Sequence, residues 1–544
     1  MICPLLGRDN FLDKFLLHLY QLRHKSLSQK EISERLQISQ KQLARKLKIW
    51  QSNGVITYQS GKGRGNKTEI TFKEDIEKDY FKQFIKQFNH DKTETLIPYL
   101  TWQWSPIIKQ KVVSKLNEKL GIQSNKQQTK LTITKRHRLY TIKPLEALDA
   151  KSASVAGSIY NRLIKIDEHG TIHYELAHHI EQFEGYIIVY LRPNVYFHDG
   201  SILTSDDVVH SFNQAKAHYN TRDLFEQITD LYAITPLQVK ICYQNCPHII
   251  YLLSYVTLSI FKETENKMIG TGPYFIRQDN ANATILKRFD QYFGYSPFID
   301  EIEMIHMPDD YQMIIGNPES PLSKIKRTLG FYYLCKHPDS KLSLEQIHYL
   351  QAIFLKHLDA FGESHHRASI LYNSNYPNRN LDNLTVPKFN LPIRIDAAGK
   401  FNTSLETIET LLNCYNIQVE FNSIPFEHVM QRNAHLSGDF YYFGEFLDIP
   451  ETLSYYLFIF SQISSIHPLI SRYKKLMAYK TQYLNTAFEN WPTLNQQIDH
   501  MLYDQGILFP LFNKEVELTY DAHLQNVIIN PMGFINFHEL WLKK

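Results

Sequence analysis

From Lys130 onward strand-like apolar runs alternate with helical ones, as in an α/β sheet, and that pattern sets the fold class of most of the chain. Ahead of it, stripes with apolar residues three and four apart, the period of amphipathic helices, flank one short hairpin. Two such patterns imply separate cores. The 544 residues also exceed the roughly 250–300 at which single cores stop growing, so about two to four domains are expected. With 43% apolar and 21% charged residues, the composition is that of an ordinary globular protein.

The first 72 residues read as an α+β winged helix-turn-helix. From Arg8 to Leu22, the residues Phe11, Phe15, Leu16, Leu19 and Leu22 share one helical face. Ser28 is an N-cap, and Glu31 completes a capping box ahead of Ile32 and Leu36. Gln37, Ile38 and Ser39 make a tight turn, with Ile38 plugging the gap between helices. The third helix runs from about Gln40 to Asn53, before Gly54. Its Leu43, Leu47 and Trp50 fall within about 60° of each other and face inward, which turns Lys41, Arg45, Lys48 and Ser52 outward. Gln42 flanks the outward face near the helix N-terminus, where recognition helices touch base edges. Ser39, Gln40 and Lys46 complete the expected DNA-contacting set on this helix.

A hairpin follows, with strands Val55–Gln59 and about Lys67–Phe72 around "GKGRGNK". Gly61, Gly63 and Gly65 let this wing approach a phosphate backbone closely, and Lys62, Arg64 and Lys67 neutralise it. The string is not a P-loop, because its spacing differs and no helix follows. Charge agrees: residues 1–72 hold 13 Lys/Arg against 5 Asp/Glu, a net +8, which leaves −5 for the rest of a chain of net +3. A basic end ahead of a mildly acidic body is the footprint of a polyanion-binding module.

Residues 73–130 read as a helical connector and linker. Ile76, Tyr80, Phe81, Phe84, Ile85 and Phe88 form one stripe; Ile107, Ile108, Val112, Val113, Leu116 and Leu120 form another, with Gly121 as C-cap. The stripes either pack on neighbouring domains or pair two copies into a homodimer, since helix-turn-helix regulators are frequently two-fold symmetric. "QSNKQQTK", residues Gln123–Lys130, reads as a hinge-like linker.

Several classes drop out. The N-terminus lacks a basic segment before an apolar core and is broken by Arg8, Asp9, Asp13 and Lys14, and no later run reaches about 18 apolar residues. Neither a secretory signal nor a spanning helix is expected, so no membrane partner is expected and the cytoplasm is the expected compartment. Cys3, Cys242, Cys246, Cys335 and Cys414 are too scattered for a disulfide framework. Cys242 and Cys246 lack a second ligand pair for zinc, and His169, His173, His178 and His179 straddle a hairpin without a facing geometry, so no metal is expected. The sequence contains no G-x-S-x-G, no H-E-x-x-H, no G-x-G-x-x-G after a strand and no kinase set, so neither an enzyme nor a cofactor is expected.

Within residues 131–544 the stretch "LRPNVYFHDGSILTSDDVVHSF", Leu191–Phe212, is legible locally. "YIIVYLRP" is a buried strand and Asp199-Gly200 a turn; Thr204 caps a helix with Asp206 and Asp207 in its first turn and Val208, Val209, Phe212 and Ala215 inward. With "ELAHHIEQFEGYIIVY" before it and "IGTGPYFI" and "FDQYFGYSPFIDEIEM" after it, the stretch resembles the family 5 extracellular solute-binding proteins, the oligopeptide and dipeptide binders of ABC importers. The resemblance continues through "DFYYFGEFLDIPE" and covers most of residues 130–544, although Leu322 to Asn390 matches poorly. Joined to a winged helix, with "GTGPY", "FDQYFGY" and "INPMGFINFHELWL", the chain resembles the SgrR-type transcriptional regulators.

That resemblance implies a multidomain protein in which a two-lobed α/β periplasmic-binding-protein-like (type 2) domain follows the winged helix. It implies double-stranded DNA as the partner of the head and a small molecule between the lobes. The SgrR-type likeness points to a sugar phosphate, the solute-binding scaffold to a short peptide. The alternative is a binding component of an ABC transport system whose head is a docking module. Tyr160, Asn161, Gly272, Tyr274, Glu445 and Asp448 lie at expected strand ends or loops where an interlobe cleft forms and are the candidate ligand-binding residues.

Overall fold

Caps and one left-handed residue place the first three helices. Asp13 caps α1, Lys14–Gln21, by accepting the Phe15 N–H at 2.9 Å. In α2, Gln29–Arg35, both halves of the expected Ser28–Glu31 capping box form. Gln37, at φ 55°, turns the chain into α3, Gln40–Ser52, where Ser39 and Gln42 make a second capping box. Gly54, at φ 73°, ends α3. Strand β1, Ile56–Gln59, then pairs antiparallel with β2, Glu69–Phe72, from Ile56↔Phe72 to Gln59↔Glu69.

The computed structural model describes the chain except for residues 1–12, 60–67, 91–92, 120, 125–127, 136–137, 168, 266, 307–320, 362–365, 368, 372–375, 378, 400, 531–532, 534 and 544. The expected wing tip, with Lys62, Arg64 and Lys67, lies outside the described residues.

Helices α4, Ile76–His90, α5, Thr93–Leu96, and α6, Pro106–Asn117, follow. Ile76, Tyr80, Phe84 and Phe88 of α4 and Val112 and Leu116 of α6 are buried in one cluster with Leu16, Leu43, Leu47 and Trp50. The connector helices therefore complete the core of the head; in the second stripe Ile107 is instead 70% exposed, and Leu120 lies outside the described residues. Each large apolar side chain buried contributes roughly 1.5–3 kcal/mol. Six of them match the ~5–15 kcal/mol net stability of a whole domain.

The two ends of the stretch expected as a hinge-like linker, residues 123–124 and 129–130, lie in paired strands, and residues 125–127 between them are outside the described residues. Strand β3, Gly121–Ser124, pairs antiparallel with β4, Thr129–Lys135, from Gly121↔Thr132 to Ser124↔Thr129, and β4 runs parallel to Glu301–His306. Its polar residues have partners on the neighbouring strand: Lys130 Nζ lies 2.7 Å from Glu303 and 3.5 Å from Glu301, and the Thr132 hydroxyl donates to Glu303 at 3.1 Å. Leu131 and Ile133 alternate to the buried face. On the strand Glu301–His306, Ile305 joins the apolar cluster of the head, so head and sheet are in contact.

The first lobe contains a five-stranded sheet in the order Tyr274–Asp279, Ala283–Arg288, Glu301–His306, β4, β3. A four-stranded antiparallel sheet joins it, in the order Ala177–Phe183, Tyr186–Leu191, Gln238–Tyr243, Ile228–Thr235. Helix α7, Ala150–Ile159, and the helix Ser205–Ala217 belong to this lobe. The second lobe is built on a six-stranded sheet in the order His366–Arg367, Leu508–Asp521, Leu322–Lys336, Phe440–Glu445, Ile393–Ala398, Val419–Ile424. The poorly matching segment is integral to it: Leu334 of the strand and Ile347, Leu350 and Ile353 of the helix Leu344–Lys356 share a core with Ile393 and Phe440. The lobes meet where Tyr251 stacks on Phe488 at 3.9 Å and where Asp223 accepts the Gln462 N–H at 2.8 Å.

Candidate DNA-binding face and interlobe cavity

On α3 the apolar side is buried through Leu43, Leu47 and Trp50, and Ser39, Gln40, Lys41, Gln42, Arg45 and Lys48 are exposed. Two of the expected contacts have partners in the chain. The Gln42 side-chain oxygen accepts from the Ser39 N–H at 3.0 Å and from its hydroxyl at 3.2 Å, which leaves only its amide donor for a base. Lys46 is a correction: its ammonium sits 2.8 Å from Asp13, against the Phe15 ring, beside the Trp50 indole N–H that donates to the same carboxylate at 3.2 Å. It ties α3 to the start of α1. Ile49, absent from the expected set, is 54% exposed on the outward side.

Four of the candidate ligand residues are corrected to structural roles. Tyr160 and Tyr274 are buried at 1% and 0% exposure, and the Tyr274 hydroxyl donates to the Ile299 carbonyl at 3.0 Å. Buried Asn161 donates to Glu175 at 3.2 Å and accepts from the Thr271 hydroxyl at 3.1 Å. Gly272 sits so close to the end of α7 that a Cβ would lie 2.5 Å from the Ile159 carbonyl carbon. "GTGPY" is thus a close-packing motif, where glycine admits a neighbouring backbone.

Glu445 and Asp448 do face a cavity. It measures about 60 Å³ and is lined from the first lobe by Ala147, Tyr255 and Thr257 and from the second by Glu445, Asp448 and Ser454. Both residues are half-buried among the residues that line the cavity. Burial pushes the Glu445 carboxyl up to about 7, opposed by the Phe446 N–H and by the charge of Arg432; burial likewise raises Asp448, opposed by the Ile449 N–H and by Arg162. Burial raises Tyr255 too, and the charges of Asp448 and Glu445 add to it.

The cations near these acids are held elsewhere. Arg432 donates to the carbonyls of Val429, Gln462 and Ile463. Arg162 donates to the Ser254 carbonyl at 2.8 Å and lies 3.6 Å from Glu175. Burial works against the charge on Glu175, but Lys165 and Arg162 outweigh it and bring that carboxyl down to about 2. The Thr257 hydroxyl is buried in the cavity wall without a partner. An open groove of about 740 Å³ adjoins the cavity and shares Phe446 and Asp448 with it. The arrangement accepts hydrogen bonds and favours positive charge. Sequence reasoning missed Tyr255 and Thr257, which carry no motif and gain their place from the opposite lobe.

Among the described residues no group of three or more His, Cys, Asp or Glu stands in a metal-holding arrangement, and His173 pairs with Asp167 at 2.8 Å. No helix among them is long and apolar enough to cross a membrane.

Residues 13–126 match the family model described as sugar transport-related sRNA regulator N-term, and residues 173–315 match bacterial extracellular solute-binding proteins, family 5 middle. The HTH-type transcriptional regulators SgrR of Shigella flexneri serotype 5b and of Escherichia coli K12 are each 26% identical over 327 residues, covering 56% of this chain and 56% of each relative. The chain thus aligns with about half the length of these curated relatives. Among solved structures, the oligopeptide-binding protein AppA of Bacillus subtilis with a nonapeptide is similar at TM-score 0.62 and 14% identity, over 76% of this chain and 99% of that one. The periplasmic binding protein DppA of Helicobacter pylori with the peptide STSA is similar at TM-score 0.63 and 13% identity, over 76% and 98%. These structural likenesses establish the two-lobed solute-binding fold. A regulator-type N-terminal region and a family 5 solute-binding fold are joined in this one chain, which in that combination is similar to the SgrR-type regulators.

Proposed function

We propose that this protein is a ligand-responsive transcriptional regulator of the cytoplasm, which binds double-stranded DNA through α3 and the wing and binds a small solute between its lobes. The observation that carries this reading is the outward face of α3: Lys41, Arg45 and Lys48 are exposed on a 13-residue helix that has no acidic residue. Such a face neutralises phosphates and reaches base edges. A transport component with the head as docking module leaves that face without a role.

The cavity bears on the solute. Glu445 and Asp448 suit a protonated amine, such as the amino end of a short peptide, whose remainder would lie in the adjoining groove. A sugar phosphate, implied by the family, would set like charges against each other unless both carboxyls were protonated. We therefore place a cationic or donor-rich solute ahead of an anionic one. Because β3 and β4 join the head to the first-lobe sheet, the head moves with that lobe; the second-lobe strand Leu508–Asp521 approaches β3 and would report closure.

The test is enrichment of genomic DNA fragments on the full chain, followed by gel shifts with hexose phosphates and with mixed short peptides. A solute that acts should change operator affinity by about 5- to 150-fold, with operator changing solute affinity by the same factor. DNA retained without sequence preference would refute the regulator reading.

A further inference from the structure

Charge accounts for most of the outward face of α3, but not for Ile49. Lys41, Arg45 and Ile49 follow each other at intervals of four, so they stand one above another over about 12 Å of helix. Ile49 is 54% exposed in that line. A single exposed apolar residue is ordinary on a protein surface; this one continues the row of side chains that the DNA-binding reading turns toward the major groove. Other side chains of the helix are engaged: the Gln42 oxygen is held by the Ser39 cap and Lys46 by Asp13. In the major groove the apolar group on a base edge is the C5 methyl of thymine, and the side chain that best matches guanine O6 and N7 is arginine. One helical turn rises about 5.4 Å, between one and two base-pair steps of about 3.4 Å.

We infer that Ile49 is a specificity-determining residue that packs on the C5 methyl of a thymine one or two base pairs from a guanine held by Arg45. This rests on the DNA-binding reading and adds to it the base and the kind of contact.

Selection from a random duplex pool with the full chain supplies a preferred site. Each thymine of that site is then replaced singly by deoxyuracil, which removes the methyl and keeps every hydrogen-bonding group. One replacement should weaken the wild type by about 4-fold, the effect of one buried methyl. Ile49→Ala should be indifferent to that replacement yet still require the guanine, while Arg45→Ala should lose the guanine preference. Ile49→Val should keep part of the methyl sensitivity, and circular dichroism melting confirms that each variant is folded. A wild type indifferent to every deoxyuracil, or an Ile49→Ala variant with the same loss as the wild type, would overturn the inference while leaving DNA binding intact. A pool with no enrichment would overturn the DNA-binding reading, and this inference with it.

Discussion

Asp13 holds three donors at once: the Phe15 N–H at 2.9 Å, Lys46 Nζ at 2.8 Å and the Trp50 indole N–H at 3.2 Å. It caps one helix and clamps another, so Asp13→Ala should cost about 2–4 kcal/mol in urea denaturation. Lys46→Ala should cost about 1 kcal/mol and hardly change DNA affinity. Arg45→Ala should do the reverse, leaving stability unchanged and weakening the gel shift. Glu445 gives a pH signature. Its carboxyl is pushed up to about 7 from 4.5, so between those values the folded chain binds more protons than the unfolded one and stability falls as pH rises. Glu445→Gln should match the wild type near pH 4.5 and exceed its stability by on the order of 2 kcal/mol near pH 8. Equal urea midpoints for the two proteins at both pH values would remove the buried-carboxylate account.

Between elements, the chain at Gly270–Gly272 runs against the backbone at the end of α7. A Cβ on Gly270 would lie 2.1 Å from the Ile159 carbonyl oxygen, and one on Gly272 2.6 Å from the same atom. Backbone cannot yield as a flexible side chain does, so Gly272→Ala should destabilise the first lobe by about 3 kcal/mol or more. A ligand-contacting glycine in open space would instead show normal stability and altered binding, and urea denaturation separates the two. The β3–β4 hairpin shows why elements misread in isolation. A run of Gln, Ser, Asn, Lys and Thr has linker composition, yet Lys130 and Thr132 satisfy carboxylates on the next strand. Their polarity answers to Glu301 and Glu303, 171 residues further on in the case of Thr132 and Glu303.

At the scale of the molecule, the core of the head extends through α6. A fragment stopping at residue 72 lacks Ile76, Tyr80, Phe84, Val112 and Leu116, which share the cluster of Leu43, Leu47 and Trp50. It should show a collapsed amide spectrum and fast hydrogen exchange, while a fragment stopping after α6 should show dispersed amides and a cooperative melt. If the 72-residue fragment melted cooperatively, the shared core would not be required. In the full chain, replacing Lys41 and Lys48 by Gln should weaken specific and non-specific DNA alike and reduce the salt slope by about 0.9 per lost phosphate contact.

Local chemistry was legible without a structure because its partners lie a few residues apart. The Ser28–Glu31 box, the turn at Gln37, the inward Leu43, Leu47 and Trp50, and the outward Lys41, Arg45 and Lys48 all follow from spacing along one helix or turn. The two-lobed fold was legible through resemblance, in motifs such as "GTGPY" whose physical reason lies elsewhere. Tertiary structure decided what spacing cannot carry. It sent Tyr160, Asn161 and Tyr274 to the core, drew Lys46 to Asp13, and set Tyr255 and Thr257 of one lobe against Glu445 and Asp448 of the other. A cavity wall and a buried ion pair depend on which distant surfaces meet, and that is settled by packing of whole lobes rather than by any stretch of chain.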